Sequence, residues 1–67
     1  MNKFFKEKEY QILKMVYLNM TNKQIAQNIN LSVSSIKAYR KDIYKKLKAK
    51  NRLDAIVIAL RMGLLDL

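Results

Sequence analysis

The chain has 67 residues, with 14 basic side chains against five acidic ones and a net charge of +9. That length holds one domain, and domains of this size bury only roughly 60% of their unfolded surface. Cysteine and histidine are both absent. Their absence removes disulfide staples, zinc-finger ligands, thiol nucleophiles and the usual general base, so neither an enzyme nor a metal or cofactor site is expected.

No repeat, low-complexity tract or linker interrupts the chain. Residues 1–5 read as a short N-terminal arm and residues 6–67 as one domain. The first helix is expected from about Glu7 to Leu18, because Ile12, Leu13, Val16, Tyr17 and Met20 follow the spacing of a single buried helical face. Lys6 is a poor N-cap, offset by Glu7 and Glu9 in the first turn, where the helix dipole favours acids. Asn19 supplies the stop, since Asn ranks after Gly for a left-handed residue beyond a helix.

Thr21-Asn22-Lys23-Gln24 fits a capping box, with Thr as N-cap and Gln three residues later. The short helix that follows turns Ile25, Ala26 and Ile29 inward. Asn30-Leu31 breaks the pattern and Ser32 offers a new N-cap. From Val33 to about Lys48 the chain reads as helix, with Ile36, Ile43 and Leu47 on one side. Two helices joined by only a few residues are the sequence form of a helix-turn-helix, and Ala26 is small where they would approach most closely. Asn51 caps a fourth helix running to about Met62. Gly63 sits where a left-handed glycine belongs, leaving Leu64 and Leu65 to fold back onto the core. An all-α domain of four helices is expected.

Between Lys37 and Arg52 lie eight basic side chains and one acid, Asp42, which is +7 of the net +9. Stepping about 100° per residue, Ser34, Lys37, Lys41, Lys45 and Lys48 fall opposite the Ile36, Ile43, Leu47 stripe, with Ala38 at the edge of that basic face. A charged helical face is most often solvated surface. Here, however, the charge is almost all of one sign, which destabilises an isolated helix, and it lies on the helix that the turn would present to a duplex. Such a helix fits the major groove, its N-terminal half near base edges and its C-terminal half near phosphates.

These residues resemble the LuxR-type helix-turn-helix domain, also called the FixJ or GerE type, from about Phe5 to Leu65. The family's opening pattern is echoed by Phe5, Lys8-Glu9 and Ile12-Leu13. Its Ser-Asn-Lys-Glu-Ile-Ala segment is matched by Thr21-Asn22-Lys23-Gln24-Ile25-Ala26, and its Ile-Ser and Thr-Val-Lys by Leu31-Ser32 and Ser35-Ile36-Lys37. Lys46-Leu47, Asn51-Arg52, Ala55-Ile56 and Gly63-Leu64 complete the order. Lys6 replaces the family's usual Thr, Asn19 its usual Gly, and Tyr39 its frequent His. With Met1 close to the first helix, the chain resembles the stand-alone short form, an excised C-terminal domain being the other reading.

The resemblance implies base contacts from Lys37, Ala38 and Lys41. Lys can donate to guanine O6 and N7, and Ala can pack on a thymine methyl. Phosphate contacts are expected from Thr21, Asn22, Lys23 and Ser32 at helix starts, from the hydroxyls of Ser34 and Ser35, and from Lys45, Lys48, Lys50 and Arg52. Tyr10, Tyr17 and Tyr44 read as packing aromatics. The fourth helix is apolar almost all round. Ala55, Ile56 and Ala59 face inward, while Leu53, Val57 and Leu60 fall on the back beside Asp54 and Arg61. Such a patch marks an interface, and in LuxR-type domains this helix is a common dimer contact. Leu53, Val57, Leu60 and Arg61 are the candidate dimer residues.

The expected function is sequence-specific binding of double-stranded DNA by a homodimeric transcription regulator on an inverted repeat. The expected setting is the bacterial cytoplasm, at the nucleoid, with RNA polymerase as a further candidate partner. The longest apolar run, residues 55–60, is far short of the ~20 needed to span a bilayer, and no membrane role is expected. A helical protein-interaction or RNA-binding module using the same basic face is the alternative.

Overall fold

The computed structural model describes residues 4–66, which form four helices and, among those residues, no strand: α1 (Glu7–Tyr17), α2 (Asn22–Asn28), α3 (Val33–Leu47) and α4 (Arg52–Arg61). Each helix starts at the expected residue, and α1, α3 and α4 end one residue earlier than read from the sequence. Of the expected arm, residues 1–3 lie outside the described residues, as does Leu67 at the other end. Phe5 is buried, packed into the core with Ile12, Leu13 and Val16 of α1.

The core gathers around α3. Ile36, Ile43 and Leu47 meet Ile25 and Ala26 of α2, the α1 residues, and Ala55 and Ala59 of α4, so that α3 packs against all three other helices. Leu64 and Leu65 fold back and are buried. Tyr10, Tyr17 and Tyr44 are half-buried against this core, as expected of packing aromatics.

Each helix begins as the sequence dictates. Thr21 Oγ1 accepts from the Gln24 N–H (3.1 Å) and Gln24 Oε1 from the Thr21 N–H (2.9 Å), a complete capping box. Ser32 Oγ caps α3 through the Ser35 N–H (3.1 Å), and Asn51 Oδ1 caps α4 through the Asp54 N–H (2.9 Å). At α1 only half of the box can form, because a lysine side chain has no acceptor. Glu9 Oε1 takes the Lys6 N–H at 2.9 Å.

All four helices end in the same way. Asn19, Asn30, Lys48 and Gly63 adopt positive φ (64°, 59°, 56° and 76°). The following N–H then reaches back to a carbonyl in the last turn: Met20 to Met15, Leu31 to Ala26, Ala49 to Tyr44 and Leu64 to Ala59, at 2.9–3.1 Å. This Schellman arrangement satisfies orphan carbonyls and reverses the chain in one residue. It sets the turn between α2 and α3. Asn tolerates the left-handed region and a β-branched residue does not. We predict that Asn30→Val, at an exposed position, costs about 1–2 kcal/mol in urea denaturation, while Asn30→Gly stays within a few tenths.

Glu9 fastens α1 to the C-terminal half of α3. It is 4% exposed, and its Oε1 also accepts from Lys46 Nζ at 2.8 Å. Lys46 Nζ in turn lies 5.6 Å from the centre of the Phe5 ring, a cation–π contact. Burial pushes the Glu9 carboxyl up. The bonds from Lys46 and the Lys6 N–H, with the charges of both lysines, outweigh that effect and hold it below the ordinary glutamate value. A depressed folded-state value stabilises the fold above the unfolded value, roughly 4.3, and the contribution is lost as pH falls through the folded value. Glu9→Gln is therefore expected to be less stable at pH 7 by about 1 kcal/mol, because Lys46 is partly exposed and rehydrates. In thermal melts the gap between the two proteins should close as pH is lowered below 4.

Candidate nucleic-acid interface

The stripe that α3 buries decides what it shows. Lys37, Lys41, Lys45 and Lys48, with Ser34 and Ala38, are exposed on the side opposite Ile36, Ile43 and Leu47. Among the described residues no carboxylate lies within ion-pair distance of these four lysines. Lys48 follows the last turn of α3 in the left-handed conformation, extending the ridge past the helix end. The ridge is continuous and unneutralised, on a helix 15 residues long whose other side is braced by the core. About 1.5 Å of rise per residue makes that helix roughly 22 Å long, enough to lie across a major groove.

Three of the other four basic residues of the cluster are engaged within the fold. Lys46 is held by Glu9. Arg40 is half-buried between α2 and α3: its Nη1 donates to Asn22 Oδ1 at 2.7 Å and its Nη2 to Tyr44 Oη at 2.8 Å. Arg52, the first residue of α4, donates through Nη2 to the Val16 carbonyl at 3.3 Å and is half-buried. Of the expected phosphate set, Arg52 thus spends one donor on the fold, and Asn22 has its carbonyl oxygen committed to Arg40. Lys50 keeps an exposed side chain while its N–H donates to Asp54 Oδ2 at 2.9 Å.

The hydroxyls at the helix starts are partly occupied. Thr21 and Ser32 act as caps, and Ser32 Oγ also bonds Ser35 Oγ at 2.9 Å. Ser34 is exposed in the first turn of α3, and Lys23 is exposed in the first turn of α2. Through the Arg40 bridge the start of α2 is held to the middle of α3.

On α4, Leu53 is 68% and Val57 37% exposed, and Arg61 is exposed beside them. Leu60 is half-buried against the core, at the margin of this patch rather than at its centre. Leu64 and Leu65 tuck inward and leave Leu53 and Val57 open.

The sequence matches the model of the GerE family, bacterial regulatory proteins of the luxR family, over residues 5–59. The HTH-type transcriptional regulator MalT of Vibrio campbellii is 38% identical over 53 residues, covering 79% of this chain and 6% of that protein. The probable transcriptional regulator ycf29 of Cyanophora paradoxa is 33% identical over 61 residues, 91% of this chain and 29% of the relative. The transcriptional regulatory protein YdfI of Bacillus subtilis is 34% identical with the same coverage. The chain thus spans a small part of these relatives, under a third of each. A capped helix-turn-helix with a free basic ridge, a family match over most of the chain and relatives named as transcriptional regulators lead to one assignment: the chain belongs to the luxR family of bacterial regulatory proteins, as a GerE-type helix-turn-helix domain of DNA-binding transcription regulation.

Proposed function

We propose that the domain binds double-stranded DNA sequence-specifically, with α3 in the major groove, as a homodimer on an inverted repeat. The observation that carries this reading is the row of unpaired lysines along one exposed side of α3, on the helix that a helix-turn-helix presents to DNA. Lys37, Ala38 and Lys41, in the N-terminal half, meet base edges. Lys45, Lys48 and Lys50 meet phosphates further along the helix and beyond it, and Lys23, Ser34 and the remaining N–H donors of Arg52 complete that set. Thr21, Asn22, Ser32 and Ser35 contribute mainly by fixing the helix starts against the backbone. Among the described residues no helix is long and apolar enough to cross a membrane. The domain works on DNA in the cytoplasm.

The homodimer reading rests on α4. An exposed Leu53 and Val57 flanked by Arg61, with Leu60 at the edge, are an apolar patch that a second copy would cover. Two-fold pairing would set the two α3 helices about one DNA turn apart, ~34 Å. It would also double a footprint that for one such module buries only ~600–1,000 Å².

The direct test starts from a duplex selected out of a random pool by the purified protein. Replacing Lys37 and Lys41 together by Ala should weaken binding to that duplex by at least ~10-fold, as expected for lost base contacts at ~1–3 kcal/mol each. Lys45→Ala should instead weaken selected and random duplexes alike and make the salt slope shallower by about 0.9. If six phosphates are neutralised, the slope for the unaltered protein is about −5. Unchanged binding by the double variant, or equal competition by structured RNA, would overturn the reading.

Val57→Asp places a charge at the proposed two-fold contact. Sedimentation should shift it towards monomer, and its binding to an inverted repeat should fall towards that of a half-site. A dimer that survives this substitution places the contact elsewhere.

A further inference from the structure

We propose that Arg40 is a positioning residue for DNA recognition: its guanidinium fork pins the first turn of α2 to the middle of α3 and so fixes the α2 start relative to the base-reading lysines. This inference rests on the reading that α3 lies in the major groove.

The geometry is that of a two-point clamp. Asn22 opens α2, and Arg40 stands about 10 Å along α3 from its start, seven residues at 1.5 Å each. One arm of the guanidinium holds Asn22 Oδ1 at 2.7 Å, and the other holds Tyr44 Oη, one turn further along α3, at 2.8 Å. The guanidinium carbon lies 5.7 Å from the centre of the Tyr44 ring. The fork is thereby oriented from both sides, and its two bonds leave from two different nitrogens of one rigid plane, an arrangement that a single ammonium nitrogen on a flexible stem does not reproduce.

The clamp matters because of where α2 is otherwise attached. The turn at residues 29–32 joins the C-terminal end of α2 to the start of α3, and Ile25 and Ala26 pack its middle onto the core. A helix of seven residues has little stability of its own. Without Arg40, its N-terminal end has no polar tie to α3 among the hydrogen bonds of the described residues, and the segment can pivot about the turn. In the proposed complex the α2 start and the α3 ridge engage the same duplex. A pivot would spread the backbone contacts over several registers while leaving total charge and core intact. The expected loss is therefore in discrimination between sequences, not in attraction to DNA.

Arg40→Lys keeps the charge but loses the rigid two-nitrogen fork, so it separates the two roles. It should retain the salt slope of the unaltered protein while its preference for the selected duplex over a random one falls ~5- to 10-fold. Asn22→Ala removes no charge and should reproduce that loss. The double variant should be no worse than either single one, because both remove the same bridge. Tyr44→Phe should lose part of the effect. Hydrogen exchange of the free protein gives a readout that needs no DNA: in Arg40→Lys, amides of residues 25–28 should exchange several-fold faster, with those of α1 unchanged. Full preference in Arg40→Lys, or multiplying losses in the double variant, overturns the positioning role. A shallower slope in Arg40→Met with full preference in Arg40→Lys identifies a plain phosphate contact instead. If the unaltered protein selects no sequence, the functional reading fails and takes recognition with it. Unchanged exchange in α2 overturns the clamp alone.

Discussion

The stripe of Ile36, Ile43 and Leu47 must be buried against three helices at once, and that requirement fixes where every cation of α3 can go. A helix of this composition would be poor in isolation, because lysines one turn apart repel. Burial of the opposite side supplies what the charged side costs. The core of so small a domain is therefore inseparable from its basic ridge: loosening α3 would release the lysines from their common face as well as expose the isoleucines.

Compactness with a single glycine needs another device, and the chain finds it in Asn19, Asn30 and Lys48. Asparagine enters the left-handed region at modest cost, whereas lysine there is uncommon. At Lys48 the local cost is accepted at the one helix end where a cation is useful twice. It lies at the negative end of the α3 dipole and prolongs the row of lysines beyond the last turn. The reversal also leads within a few residues to Asn51, which caps α4 and so orients the face bearing Leu53 and Val57.

Most of this architecture was legible in the sequence because it is local. Caps, stops and the facing of α3 depend on residues three or four apart, and Thr21 with Gln24, Ser32, Asn51 and Gly63 all announce themselves. The division of the basic residues was not legible. Lys46 meets Glu9 across 37 positions, Arg52 meets Val16 across 36, and Arg40 meets Asn22 across 18. Periodicity says only that Lys46 and Arg40 lie off the ridge. It cannot say which neighbour waits there. Leu60 shows the same limit, since at the margin of a buried stripe the neighbouring helix decides how much of a side chain is covered. Phe5 lies before the first helical residue, where periodicity has no hold.

The resulting partition follows the chemistry of the two side chains. Both arginines of the basic cluster, Arg40 and Arg52, turn their planar forks inward to tie helices together. The lysines, apart from Lys46, stand in water. Ammonium groups on flexible stems suit phosphates, which accept approach from many directions, and they bring strong attraction with little angular demand. In the proposed complex, base reading by Lys37 and Lys41 would then carry less built-in direction than a bidentate arginine. Discrimination must draw on how firmly the scaffold holds those lysines relative to the backbone contacts of α2, and on the spacing that a second copy would impose. In the proposed complex Arg40 thus acts on sequence preference from inside the protein, while the phosphate-facing lysines set the overall strength of binding and its sensitivity to salt.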